Sequence, residues 1–274
     1  MSAMAYHLTM RPTDDTWIAR DTAERRRLAR CLYACGEQRG LLAFRSVDTH
    51  LHAIVTGSRP EAGQFARIVE SALRRRLPLL RPFEPARIRP IDTFKHLRST
   101  LGYLFRQGQH HGLVSFDREH DASSLVDLLG MRLINSRATN ARLFRALPRL
   151  SRPELLTLLD LPLDHETDPA DYISAGPAAV ALASLSGRQT SVRAARAAVL
   201  RLVDGRIPLR QIADSIEVSR RTLERDRSTA DPQFVATIAK MAKLRAALRQ
   251  RNDDLPTEPT GPVPPPATDR PVSR

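Results

Sequence analysis

The sequence predicts an α+β protein, a ferredoxin-like antiparallel sheet with helices, followed by an all-α unit built around a helix-turn-helix. Three observations predict it. The patterns over the first half run strand, helix, strand, strand, helix, strand and then a further helix, the β-α-β-β-α-β order. LLAFRSV at 41–47 and HLHAIVTG at 50–57 are strand-like and two residues apart, which is hairpin spacing. From about residue 121 the strand-like pattern gives way to Leu-rich helical periodicity.

Each element has its own signal. AYHLTM at 5–10 is a short strand. Asp21, Thr22 and Glu24 open a helix that runs to about Arg39 and closes at Gly40. An amphipathic helix over 60–77 begins at a Pro-Glu pair. Pro78, Pro82 and Pro85 end that pattern, and ARIRPI at 86–91 suits an edge strand. Asp92 and Thr93 can cap a helix reaching about Gln107 and stopping near Gly108. Residues 121–163 have a helical pattern, and LPLDHETDPADY at 161–172 reads as a polar linker. The expected division is a first domain at 1–135, a helical connector and linker at 136–172, a helix-turn-helix domain at 173–250 and a Pro- and Thr-rich disordered tail at 251–274.

With 274 residues, 42% hydrophobic and 27% charged, the chain can bury two modest cores. Lys plus Arg number 43 against 30 Asp plus Glu, a formal charge of +13. Such a field draws polyanions, because binding releases counterions condensed on phosphates. The arginines are spread along the chain, at Arg25, Arg26 and Arg27, at Arg74, Arg75 and Arg76, and again from Arg193 to Arg225. Aromatics make up only 5%, and the strands lack the aromatic pattern of RNA-recognition sheets, so DNA is the expected polyanion. Cys31 and Cys35, the only cysteines, fall one helical turn apart and read as small buried hydrophobes. With no membrane-length apolar run and no leader pattern in MSAMAYHLTMR, the expected location is cytoplasmic, at the nucleoid.

Two constellations carry chemistry. His50 and His52 flank Leu51 on a predicted strand, so both imidazoles point to one face, about 7 Å apart at Cα. They can converge on one divalent ion, or be two histidines on a half-exposed strand. Tyr103 and Gln107 share one face of a predicted helix. A phenol beside a metal can attack a phosphodiester, and a Gln oxygen can be a further hard ligand. Taken alone, Tyr103 also suits a core or interface position.

The H-hydrophobic-H strand at 50–52, the Y-x-x-x-Q helix at 103–107 and the element order together resemble the HUH single-tyrosine transposases, specifically the REP-associated tyrosine transposases. AYHLTMR at 5–11, THLHAIVTG at 49–57 and GLVSFDREHDASSLVDLLG at 112–130, where a Ser-Ser pair precedes a short helix ending in Gly, are also similar to that family. Thr49 stands where the family often has Asn. The resemblance implies an HUH nuclease fold and a metal-dependent tyrosine transposase. In it His50, His52 and Gln107 hold Mg²⁺ or Mn²⁺, and Tyr103 attacks single-stranded or hairpin DNA to form a 5′-phosphotyrosine. It leaves open both a homodimer and a monomer, and a DNA-binding regulator that has lost cleavage. The reading requires Tyr103 and Gln107 to face both histidines across a basic groove.

The second constellation is SVRAARAAVLRLVDGRIPLRQIADSIEVSRRTLERD at 191–226, in which Pro208 starts a helix. Ile212, Ala213 and Ile216 give one helix an apolar face, Glu217 and Val218 make a turn, and Ser219 caps a second helix. That helix offers Ser219, Arg220, Arg221, Thr222 and Arg225 to duplex DNA, with Arg193 and Arg196 on the preceding helix as phosphate contacts. An ordinary helical hairpin with a basic face is the plainer alternative. The unit resembles the helix-turn-helix of replication-initiator C-terminal domains.

Overall fold

The computed structural model describes residues 3–14, 16–47, 49–79, 81–106, 121–134, 136–159, 161–227 and 230–253, with residues 251–253 described by backbone only. Its first part is β1 (Ala5–Met10), α1 (Thr22–Gly36), β2 (Leu41–Val47), β3 (His50–Val55), α2 (Arg59–Arg76), β4 (Arg87–Ile91) and α3 (Phe94–Phe105). The four strands form one antiparallel sheet in the order β2-β3-β1-β4. Two caps fall where the sequence signals them: the Asp21 side chain accepts from the Glu24 amide and Thr93 accepts from the His96 amide, while α2 is opened by a Ser58–Glu61 capping box that the sequence reading does not name.

Strand alternation divides the sheet into two faces. Leu8, Met10, Leu51, Ala53 and Val55 are buried against Leu28 and Leu32 of α1 and Phe65 and Val69 of α2. On the opposite face, Ala5, Ala43, Ile54 and Ile91 are buried with Leu97, Leu101, Leu104 and Phe105 of α3. Those apolar positions lie toward one end of the strands. Toward the other end the same face carries polar residues, and α3 leaves it open. Free thiols Cys31 and Cys35 are buried in α1.

The helical remainder is α4 (Leu125–Leu128), α5 (Arg137–Ala146), α6 (Arg152–Thr157), α7 (Pro169–Ala179), α8 (Thr190–Val203), α9 (Leu209–Ser215), α10 (Arg220–Asp226) and α11 (Pro232–Asp253). Within 121–163 the helical pattern is cut into short pieces, because Gly130 takes φ +68° and Pro153 starts a new helix. Ser124, from the Ser-Ser pair, exchanges hydrogen bonds with the Phe44 backbone, and Ser46 donates its amide to Ala122, which covers the β2 edge. Behind it, buried Asp127 accepts from Tyr33 at 2.8 Å and from Arg132.

The expected connector, 136–172, holds α5, α6 and the start of α7. Its Arg142 donates to the carbonyls of Gly36, Glu37 and Leu41. Apolar burial then continues from α3 through α4–α6 into α7, α8 and α11. Arg26 of α1 donates to the Leu182 carbonyl and pairs with Asp121, which Arg245 of α11 also reaches. Most of the expected tail lies outside the described residues. Among those described, no helix is long and apolar enough to cross a membrane.

Candidate functional site: a histidine-tyrosine cleft and a basic hollow

Where α3 leaves the sheet uncovered there is an open cleft of about 720 Å³. Its floor is built by register. His52 of β3 stands opposite Thr9 of β1, and Thr9 stands opposite Arg87 of β4. His7 stands opposite Arg89 in the same way. The wall is the face of α3 that carries His96, Thr100 and Tyr103, spaced at turns of the helix, while Leu97, Leu101 and Leu104 turn into the core. Arg45, buried beneath, donates to the Phe105 carbonyl and so ties the end of α3 to β2. Burial pulls the Arg45 guanidinium down to about 10.

His50, His52 and Tyr103 all line this cleft. His50 and His52 are stacked with centroids 6.2 Å apart. Tyr103, 47% exposed, stands edge-on to His52 with centroids 6.1 Å apart. Gln107, the expected further ligand, lies outside the described residues.

His7 carries no signal of its own in the sequence, yet it belongs to the same cluster. Its Nε2 lies 3.2 Å from His52 Nδ1, the two rings are stacked at 5.3 Å, and Tyr103 is edge-on to it at 6.0 Å. Burial, then the charges of Arg89 and His96, hold the His7 imidazole down to about 4. It is therefore neutral at pH 7, one nitrogen donating and the other accepting. Thr9 Oγ1 also approaches His52 Nδ1, at 3.4 Å, and Thr49 Oγ1 holds His50 Nδ1 at 2.8 Å.

The donor set admits a divalent ion. In both histidines Nδ1 is the nitrogen held by protein side chains, an arrangement in which the Nε2 atoms would be the ligands. Among the described residues no group of three or more His, Cys, Asp and Glu is assembled for a metal, so such an ion would rest on two histidines and on ligands from elsewhere.

The C-terminal helices form a second concavity, about 710 Å³, lined by Arg188, Arg193, Ser219, Thr222 and Arg225 among others. α9 and α10 are joined by a turn in which Glu217 takes φ +56°, and the Ser219 hydroxyl accepts from the Thr222 amide. Ile212, Ala213, Ile216 and Leu223 are buried between the helices. Arg220, Arg221 and Arg225 are exposed and Thr222 is half-buried. Arg220 pairs with Glu224 at 2.8 Å.

Arg196 is a correction to the sequence reading. It is 1% exposed, and its donors are spent on Asp226 and on the carbonyls of Leu185 and Gly187. It lies on the buried stripe of α8 with Val192, Val199 and Val203, so it holds the helices together and does not meet phosphate. Arg193 is 45% exposed and also pairs with Asp226. Arg188, outside the helices that the sequence singles out, lies exposed at the same hollow.

No family model matches the chain, and no curated protein or solved structure is significantly similar to it.

Proposed function

We propose that this chain is a DNA strand-transfer enzyme in which Tyr103 is the nucleophile and His50 and His52 hold a divalent ion, with the C-terminal helices gripping duplex DNA. The observation that supports it most is the meeting of Tyr103 with His52 and His7 over a cleft floored by Arg87 and Arg89. A phenol, a pair of imidazoles and cations in one open groove suit attack on a phosphodiester, whose charge must be offset as the new bond forms.

In this reading the Tyr103 oxygen bonds to phosphorus as the bond to the 3′-oxygen breaks. The phenolic proton is lost and the departing 3′-oxygen gains one. A divalent ion held by His50 and His52 would supply charge that polarises the phosphate. The phosphotyrosine keeps the bond energy, so a second 3′-hydroxyl can reverse the step without ATP. Half-exposure of Tyr103 lets a DNA strand reach it. Thr49 on one side and His7 with Thr9 on the other fix the planes of the two imidazoles.

The test is incubation with labelled hairpin DNA and Mn²⁺, followed by a denaturing gel. A labelled protein band is expected, lost with chelator and reduced to background in Tyr103→Phe. Intact DNA binding with no covalent band over a broad hairpin pool would replace the enzyme by a DNA-binding regulator.

A further inference from the structure

The edge strand β4 carries charge that neither histidine nor tyrosine chemistry uses. Its residues alternate, with Ile88 packed toward the α1 and α2 layer while Arg87 and Arg89 stand on the cleft face. Both are exposed, and neither has a carboxylate within ion-pair distance among the described residues. Among those residues, no Asp or Glu lines the cleft. Two guanidiniums two residues apart on one strand face repel each other, and a bound anion would relieve that repulsion.

The register places them. Counting from His52 across Thr9 to Arg87 crosses two inter-strand spacings, about 10 Å. Arg87 and Arg89 are themselves about 7 Å apart along β4, comparable with the spacing of successive phosphates in an extended single strand. They lie on the floor with α3 as a wall, so a ligand enters edgewise, which suits one strand better than a duplex.

We infer that Arg87 and Arg89 form a phosphate track that holds the single-stranded DNA flanking the scissile phosphate. The inference rests on the reading of the cleft as a DNA site, and it assigns two substrate-positioning residues that take no part in bond breaking. Charge on an edge strand also blocks sheet-to-sheet association, but that role needs no alignment with the histidine row and predicts aggregation, not weaker DNA binding.

The test uses the full-length chain in the Tyr103→Phe background and a labelled oligothymidylate, which forms no hairpin, titrated over a series of salt concentrations. Each phosphate contact on a single strand contributes about 0.7 to the slope of log K against log salt, or about fivefold in affinity near 0.1 M salt. Arg87→Ala combined with Arg89→Ala should lower the slope by about 1.4 and the affinity by about 25-fold. Arg67→Ala combined with Arg74→Ala removes the same charge from exposed positions on α2 beyond the other sheet face, and should change the slope by much less. Thermal melts should match for both variants, since all four side chains are exposed. Single-strand binding that keeps its slope without Arg87 and Arg89, or an equal loss in the α2 control, overturns the track and leaves the tyrosine reading standing. Failure of the parent protein to bind the strand overturns both.

Discussion

The cleft beside α3 and the hollow beside α10 are of similar size, about 720 and 710 Å³, and both are lined with arginine, yet their cations are in opposite states. In the cleft, Arg87 and Arg89 have no described carboxylate partner. In the hollow, Arg193, Arg196 and Arg225 all converge on Asp226, which is fully buried, at 3.2, 2.6 and 3.8 Å. The lesson is that charge in a sequence is not charge at a surface. One carboxylate at the end of α10 turns part of a basic cluster into a structural clamp, and the less conspicuous pair on β4 stands exposed at the cleft.

The largest expected effect breaks that clamp. Arg196→Ala leaves Asp226 buried with its main partner gone, and removing one member of a buried ion pair costs about 3–5 kcal/mol. Chemical denaturation should show a loss of that order, and duplex binding should fail with the fold at the temperature where the helices open. A variant that melts like the parent but binds duplex DNA weakly would restore Arg196 as a phosphate contact.

Next in size is a pH effect that belongs to the cleft. The His7 pKa is lowered from its ordinary value of 6.5 to about 4 in the folded chain, with Arg89, His96 and His52 as its neighbours. Between those values the unfolded chain binds a proton that the folded chain refuses, so stability falls as pH drops from about 6.5 to about 4. Integrated over that window the loss is about 3 kcal/mol. His7→Gln, which keeps hydrogen-bonding capacity without titrating, should flatten this part of the stability profile while changing little at pH 7.5. Identical slopes for the parent and the variant would show that His7 already titrates normally.

How much of this was legible in the sequence depends on which forces placed each residue. Alternation puts His50 and His52 on one face, and helical spacing with a Thr93 cap puts Tyr103 on an exposed one, because both are local. His7 sits in an equally legible strand. Its contact with His52 follows from the pairing of β1 with β3, which is set by how the whole sheet buries its two faces and not by any nearby residue. Arg87 and Arg89 escape a sequence reading for the same reason, since 86–91 reads as an edge strand without revealing whose edge. Arg196 differs, because its signal is present. It falls four residues after Val192 and three before Val199, inside the apolar stripe of its helix. Attention to charge alone hides it.

The smallest expected effect sharpens the comparison inside the hollow. Arg221 is exposed with no described carboxylate partner, while Arg220 is held by Glu224 one helical turn away. If α10 meets duplex DNA, Arg221→Ala should lower the salt slope by about 0.9, or about eightfold in affinity near 0.1 M salt. Glu224→Ala should act in the opposite direction. It releases Arg220 and removes a negative charge facing the phosphates, while costing only about 0.3–0.5 kcal/mol of helix stability. Duplex titrations of the two variants should therefore bracket the parent. If both weaken binding, Glu224 serves the interface by orienting Arg220, and the pairing seen within α10 belongs to the bound state as well as the free one.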